Sequence, residues 1–134
     1  MYYTTSGKPK QISYGILDNV MFHIEEYFQI SDLEINLEFK NFKGPTLGLC
    51  DHEDENEYTI EIKKSIPLDE IIRTIFHESV HVMQMHRGMF VPGSPPTWGG
   101  KIYDVSYYEL PWEKEAYEIE EMMMETYKMA IVGG

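Results

Sequence analysis

The residues with the clearest chemical potential are His77, Glu78 and His81, in the run His77-Glu78-Ser79-Val80-His81. The flanking segment, Ile71 to Gln84, has helical periodicity, and on a helix residues four apart share a face. His77 and His81 therefore aim two imidazoles at one point. Neutral imidazole is a borderline-soft nitrogen ligand that suits Zn²⁺. Glu78 follows the first histidine by one residue, about 100° round the helix, within reach of a water on the ion. This is the H-E-x-x-H spacing, with Glu78 as the expected general base. The segment is otherwise apolar, through Ile71, Ile72, Ile75, Phe76, Val80 and Val82. A buried helix has little reason to carry His, Glu and His together unless something pairs with them.

The rest of the chain has to supply a frame and further ligands. It has 134 residues, enough for a single domain over 1–134 with a sizeable core. Apolar residues make up 43% and charged residues 25%, as in ordinary soluble chains. The net charge of −12 argues against nucleic acid and against an anionic membrane as partners. Cys50 is the one cysteine, so there is no intrachain disulfide and no zinc site built mainly from thiolates. That fits a reducing compartment. The start, Met1 to Lys8, lacks an apolar core followed by a cleavage site, and no apolar run reaches membrane-spanning length. A cytoplasmic location is the expectation (the host cytoplasm, if the chain is viral).

The pattern predicts an α+β fold. Residues 1–14 read as an extended or loosely ordered arm. Gly15 to Gln29 reads as an amphipathic helix, with His23 as a packed side chain. Leu33 to Lys40 alternates strictly and predicts a half-buried strand. Thr46 to Cys50 is a second, short strand. Asp51 to Asn56 is an acidic hairpin tip, and Tyr58 to Lys63 is the return strand. These make a small, mostly antiparallel three-stranded sheet. Tyr58 to Lys63 is expected to offer an edge for an extended peptide. The metal helix opens near Pro67 and stops near Gly88. Residues 88–107 hold three of the seven prolines and four of the ten glycines, too little pattern for an element. Their aromatic residues suggest packing beside the site. A last helix runs from Pro111 to about Ala130, with its methionines as core packing.

Two imidazoles leave a catalytic zinc short of a ligand, since such sites use three protein ligands and one open position. His52 is a weak candidate. His86, five residues after His81, lies about 140° away on the helix. The third-histidine pattern of metzincins fails, because Gln84 and Arg87 stand where Gly and His would be needed. Asp104 is possible, and the glutamates of the last helix are better.

The last helix begins Pro111-Trp112-Glu113-Lys114-Glu115-Ala116-Tyr117, which resembles the E-x-E-A stretch following H-E-x-x-H in small zinc peptidases. With Trp98-Gly99-Gly100-Lys101 between the two motifs, the C-terminal half resembles minimal zincins of phages and bacteria, of the gluzincin-like and SprT-like kind. The resemblance implies a zincin-like fold with the third ligand on the C-terminal helix. It makes Glu113 that ligand, with Glu115 as the fallback. The acid that thermolysin-like enzymes carry four residues further on is Tyr117 here, so support for a histidine falls to Glu120 or Asp104.

The reading is thus a zinc metallopeptidase acting on a peptide or protein substrate. Zn²⁺ on His77, His81 and Glu113 would activate water, and Glu78 would move its proton. Tyr107 and Tyr108 lead Tyr103 and His86 as donors to the developing charge. Gln84 would contact substrate or orient a neighbour. The alternative is a non-catalytic zincin scaffold that binds a host or virion protein.

Overall fold

The computed structural model describes residues 1–133, with side chains to Ile131. Its order is β1 (Tyr2–Ser6), α1 (Tyr14–Phe28), β2 (Glu34–Lys40), β3 (Gly48–Asp54), β4 (Glu57–Lys63), α2 (Leu68–His86), β5 (Phe90–Val91), β6 (Thr97–Trp98), a 3₁₀ turn (Tyr107–Glu109) and α3 (Pro111–Gly133). The α+β class is as expected, but the sheet is not. It has four strands in the order β1-β2-β4-β3. β1 runs parallel to β2, and β2 parallel to β4; only β3 runs antiparallel to its neighbour.

The expected arm at residues 1–14 therefore contains a strand. Tyr2 to Thr5 are aromatic and β-branched, types that favour strands, but the run is too short to show a pattern. A parallel neighbour needs a crossover, which α1 provides between β1 and β2. The Met1 ammonium pins this edge by pairing with Glu25 of α1 at 2.7 Å.

β2 and β4 share one apolar face. Ile35, Leu37 and Phe39 pair in register with Tyr58, Ile60 and Ile62, and all six are buried. Glu34, Asn36, Glu38 and Glu61 line the opposite face, where Lys40 bridges Glu38 and Glu61. The hairpin joining β3 to β4 turns on Glu55 and Asn56 alone. Asp51 and His52, expected in the turn, are paired with Thr59 and Tyr58. Because β4 returns between β2 and β3, it is an interior strand and offers no free edge; the edges are β1 and β3, and β3 is the one that packs against α2.

Ser13 caps α1 by accepting a hydrogen bond from the Ile16 amide at 3.1 Å. The helix buries Leu17, Val20, Met21 and Ile24. His23 is packed as expected, its ring against Phe76 and Tyr127 and its Nε2 on the Thr126 hydroxyl at 2.8 Å. α2 is the central element. From Ile71 to Gln84 all but Arg73 are buried, because the sheet covers one side and α3 the other. Gly88 adopts φ +76°, a left-handed turn that ends the helix and favours glycine. Residues 88–107 are not without structure: β5 and β6 pair as a two-stranded ribbon. In α3, Trp112, Ala116, Met123, Met124 and Tyr127 are buried, whereas Met122 and Met129 face solvent. Among the described residues no helix is long and apolar enough to cross a membrane.

Candidate metal centre

α2 and α3 pack side by side, and their contact brings the proposed ligands together. Ala116 lies about one turn after Glu113 on α3 and is fully buried, and its small side chain permits close approach of the two helices. The Nε2 atoms of His77 and His81 lie 3.0 and 3.2 Å from one oxygen, Oε1 of Glu113. His77, Glu78 and His81 each offer an atom within 4.8 Å of the others, and all three are buried.

The outer nitrogens are held from behind. His77 Nδ1 lies 2.7 Å from Glu120 Oε1, and an ionised carboxylate only accepts, so Nδ1 carries the proton. Gln84 donates through Nε2 to the Trp112 carbonyl at 3.0 Å and to Glu115 at 3.1 Å. Its Oε1 is thereby turned to His81 Nδ1, 2.8 Å away, which must donate. Both rings are thus fixed with a proton on Nδ1, and in the neutral form each Nε2 presents a lone pair to Glu113. Three lone-pair donors facing one another need either a proton or a metal ion between them, and the lifted His77 is the form in which protons take that place when no metal is bound. Ligands about 2.0–2.1 Å from a tetrahedral zinc sit roughly 3.3 Å apart, close to the observed spacings. The donor set, two imidazoles and a carboxylate, is one that zinc takes. The residues fit the ion.

Arg73 extends the support. One turn before His77, it donates through Nη1 to Glu120 Oε2 at 3.0 Å and also to Glu121. Glu78 is hemmed in by β3: a Cβ added to Gly48 would lie 2.6 Å from Thr74 Cγ2 and 3.1 Å from Glu78 Cγ. Glycine at this position lets the edge strand close over the helix.

Burial raises the Glu78 carboxyl above its ordinary value, against the pull of His81 and His77. Burial would push His77 down, but Glu113, Glu120 and Glu78 outweigh it and lift it to about 9. Burial would likewise raise Glu113, yet the two histidines hold it at about 2. These shifts set a pH window once a chelator has removed metal. The lifted His77 stabilises fully below its ordinary 6.5, and that share is lost as pH rises through about 9. The depressed Glu113 stabilises fully above its ordinary 4.5, and that share is lost as pH falls through about 2. The stripped chain is expected to gain most from this pair between about pH 4.5 and 6.5. Zinc must displace imidazole protons, so the rise in Tm on adding zinc should grow from about pH 6 to pH 9. Thermal melts with zinc or chelator check this; a rise that shrinks over that range contradicts it.

The other sequence candidates fall elsewhere. Glu115 bonds Gln84 and not the histidines. His52 stacks flat on its cross-strand partner Tyr58, rings 4.5 Å apart, and His86 meets the same tyrosine edge-on. Asp104 is exposed in the loop. Tyr103 packs edge-on to Trp112. Tyr107 and Tyr108 both line the cleft above the histidines. Burial, with the Glu113 charge next, raises the Tyr107 hydroxyl. Tyr108 is farther out, at 71% exposed.

Three contributors were missed in the sequence. Tyr117 lies over His77, with ring centroids 4.5 Å apart. Its place four residues after Glu113 put it on the ligand's face, a signal that was available. Arg73 stands in the same relation to His77. Phe90, near His81, gave no such signal because it comes from the ribbon. The cleft has a volume of about 660 Å³ and runs between the β3 edge, α2 and the start of α3. Compared with protein-family models, curated proteins and solved structures, the chain matches none.

Proposed function

We propose that the chain is a zinc-dependent peptide hydrolase. One observation carries the reading: a single Glu113 oxygen faces two imidazole nitrogens whose other sides are already committed. His77, His81 and Glu113 would hold the ion, leaving one position open to the cleft. Zn²⁺ bound there would supply a Lewis acid and ease the deprotonation of water.

The chain's own groups do the rest. Glu78 is buried beside both histidines and its carboxyl is raised by burial, which suits a base that takes a proton and returns it to the leaving amine. Glu120 and Gln84 keep each imidazole in the tautomer that points a lone pair inward. Tyr107, beside Glu113, is better placed than Tyr108 to donate to the developing oxyanion. The β3 edge is the free strand along the cleft, on which an extended peptide can lie.

The test is cleavage of a denatured protein substrate, with zinc removed by chelation and then restored. Cleavage should stop and return. Cleavage indifferent to the chelator would sink the proposal.

A further inference from the structure

The walls of the cleft differ sharply from its floor. Tyr108 and Tyr117 step from solvent down to His77, with Tyr107 set edge-on against Tyr108. Tyr107 meets Tyr108 with centroids 5.2 Å apart, Tyr108 meets Tyr117 at 5.8 Å, and Tyr117 meets His77 at 4.5 Å. All three tyrosines are exposed. On the opposite lip, Leu47 and Leu49 of the β3 region are exposed as well. Two facing apolar lips beside a reactive centre leave surface that a bulky side chain would cover.

Charge narrows the occupant further. Glu70, Glu78, Glu113 and Glu120 line the cleft, and among the described lining residues Arg73 is the one Lys or Arg. A divalent ion does not reverse that balance, so basic side chains are drawn in and acidic ones repelled. Arg73 is itself paired with both Glu120 and Glu121. That leaves no uncommitted cation among the described lining residues to clamp a terminal carboxylate, as a carboxypeptidase would need.

We propose that the cleft accepts an internal stretch of extended polypeptide in which an aromatic or long aliphatic side chain, flanked by basic residues, docks against Tyr108 and Tyr117. This rests on the peptide-hydrolase reading and specifies its substrate. Tyr108 and Tyr117 are then specificity determinants, one at the mouth and one at the base of the wall.

Binding can be measured apart from turnover. The native zinc-loaded protein, which keeps all four lining glutamates, is titrated by fluorescence anisotropy in the cold, before cleavage, with acetylated, amidated, dye-labelled peptides of the form Gly-Lys-Gly-X-Gly-Lys-Gly. With X as Phe or Leu, the Kd should be at least about tenfold lower than with Ala, and replacing the lysines by glutamates should raise it by about tenfold or more. Tyr108→Ala in the same background should erase most of the Phe advantage and leave the Ala peptide unchanged. Because Tyr108 is largely exposed, the variant is expected to fold, which its melting curve verifies. Equal affinity for Phe and Ala peptides overturns the proposal. So does tighter binding of a peptide that ends in a free carboxylate directly after X. The parent reading fails separately. Selective binding without cleavage by the native chain removes the hydrolase and keeps the binding preference, whereas cleavage with no preference at X removes this inference alone.

Discussion

Glu113→Gln is expected to lose tight zinc binding, while Glu115→Gln keeps it. The two glutamates lie two residues apart at the start of α3, so helix geometry separates their faces by about 200°. Glu113 is buried with its oxygen on both imidazole nitrogens, whereas Glu115 only accepts from Gln84. An amide in place of Glu113 removes the carboxylate whose oxygen lies on both Nε2 atoms. The cost should exceed the roughly 10–100-fold typical of losing an outer partner of a metal ligand. An amide in place of Glu115 can still accept the Gln84 hydrogen bond through its oxygen, so its effect should stay within about tenfold. Competition with a zinc-sensitive chelator dye measures both. Zinc retained in Glu113→Gln and lost in Glu115→Gln would reassign the third ligand.

Glu78→Gln is expected to keep zinc and lose hydrolysis. The substitution preserves the side chain's size, which matters because β3 presses on it at Gly48 and a larger change would disturb the strand. It removes the ability to take up a proton. Loss of a positioned general base lowers the rate by about 10²–10⁴-fold. Zinc content should stay that of the native chain, because His77, His81 and Glu113 are untouched. Cleavage at an undiminished rate would take Glu78 out of the mechanism. Absence of cleavage in both proteins, with zinc held by both, would instead favour a zincin-like scaffold that binds a protein without cutting it.

The half of the site on α2 was open to reading because one periodicity governs it. Two histidines four apart in an apolar helix must share a face, and that face must be buried. α3 was harder to read. Its first turn holds Glu113 and Glu115, its middle Glu118, Glu120 and Glu121, and spacing alone does not say which of these meets α2. Only the likeness to E-x-E-A stretches singled out Glu113. Glu120 lies seven residues beyond it, two turns on along the same face, and became one candidate for supporting a histidine because the usual position held Tyr117. The sheet shows the reverse balance. Alternation in Leu33 to Lys40 and Tyr58 to Lys63 correctly gave the buried faces, but it carries no information on neighbours. That β4 returns between β2 and β3, with β1 added in parallel through α1, depends on long-range packing. The error mattered for function, because it moved the free edge from β4 to β3.

The most direct test is anomalous diffraction at the zinc edge from crystals of the zinc-loaded protein. The account predicts one strong peak within about 2.0–2.2 Å of His77 Nε2, His81 Nε2 and a Glu113 oxygen, with Glu78 outside the ligand set. A peak bonded to the Cys50 sulfur, or one that leaves Glu113 out, would contradict it.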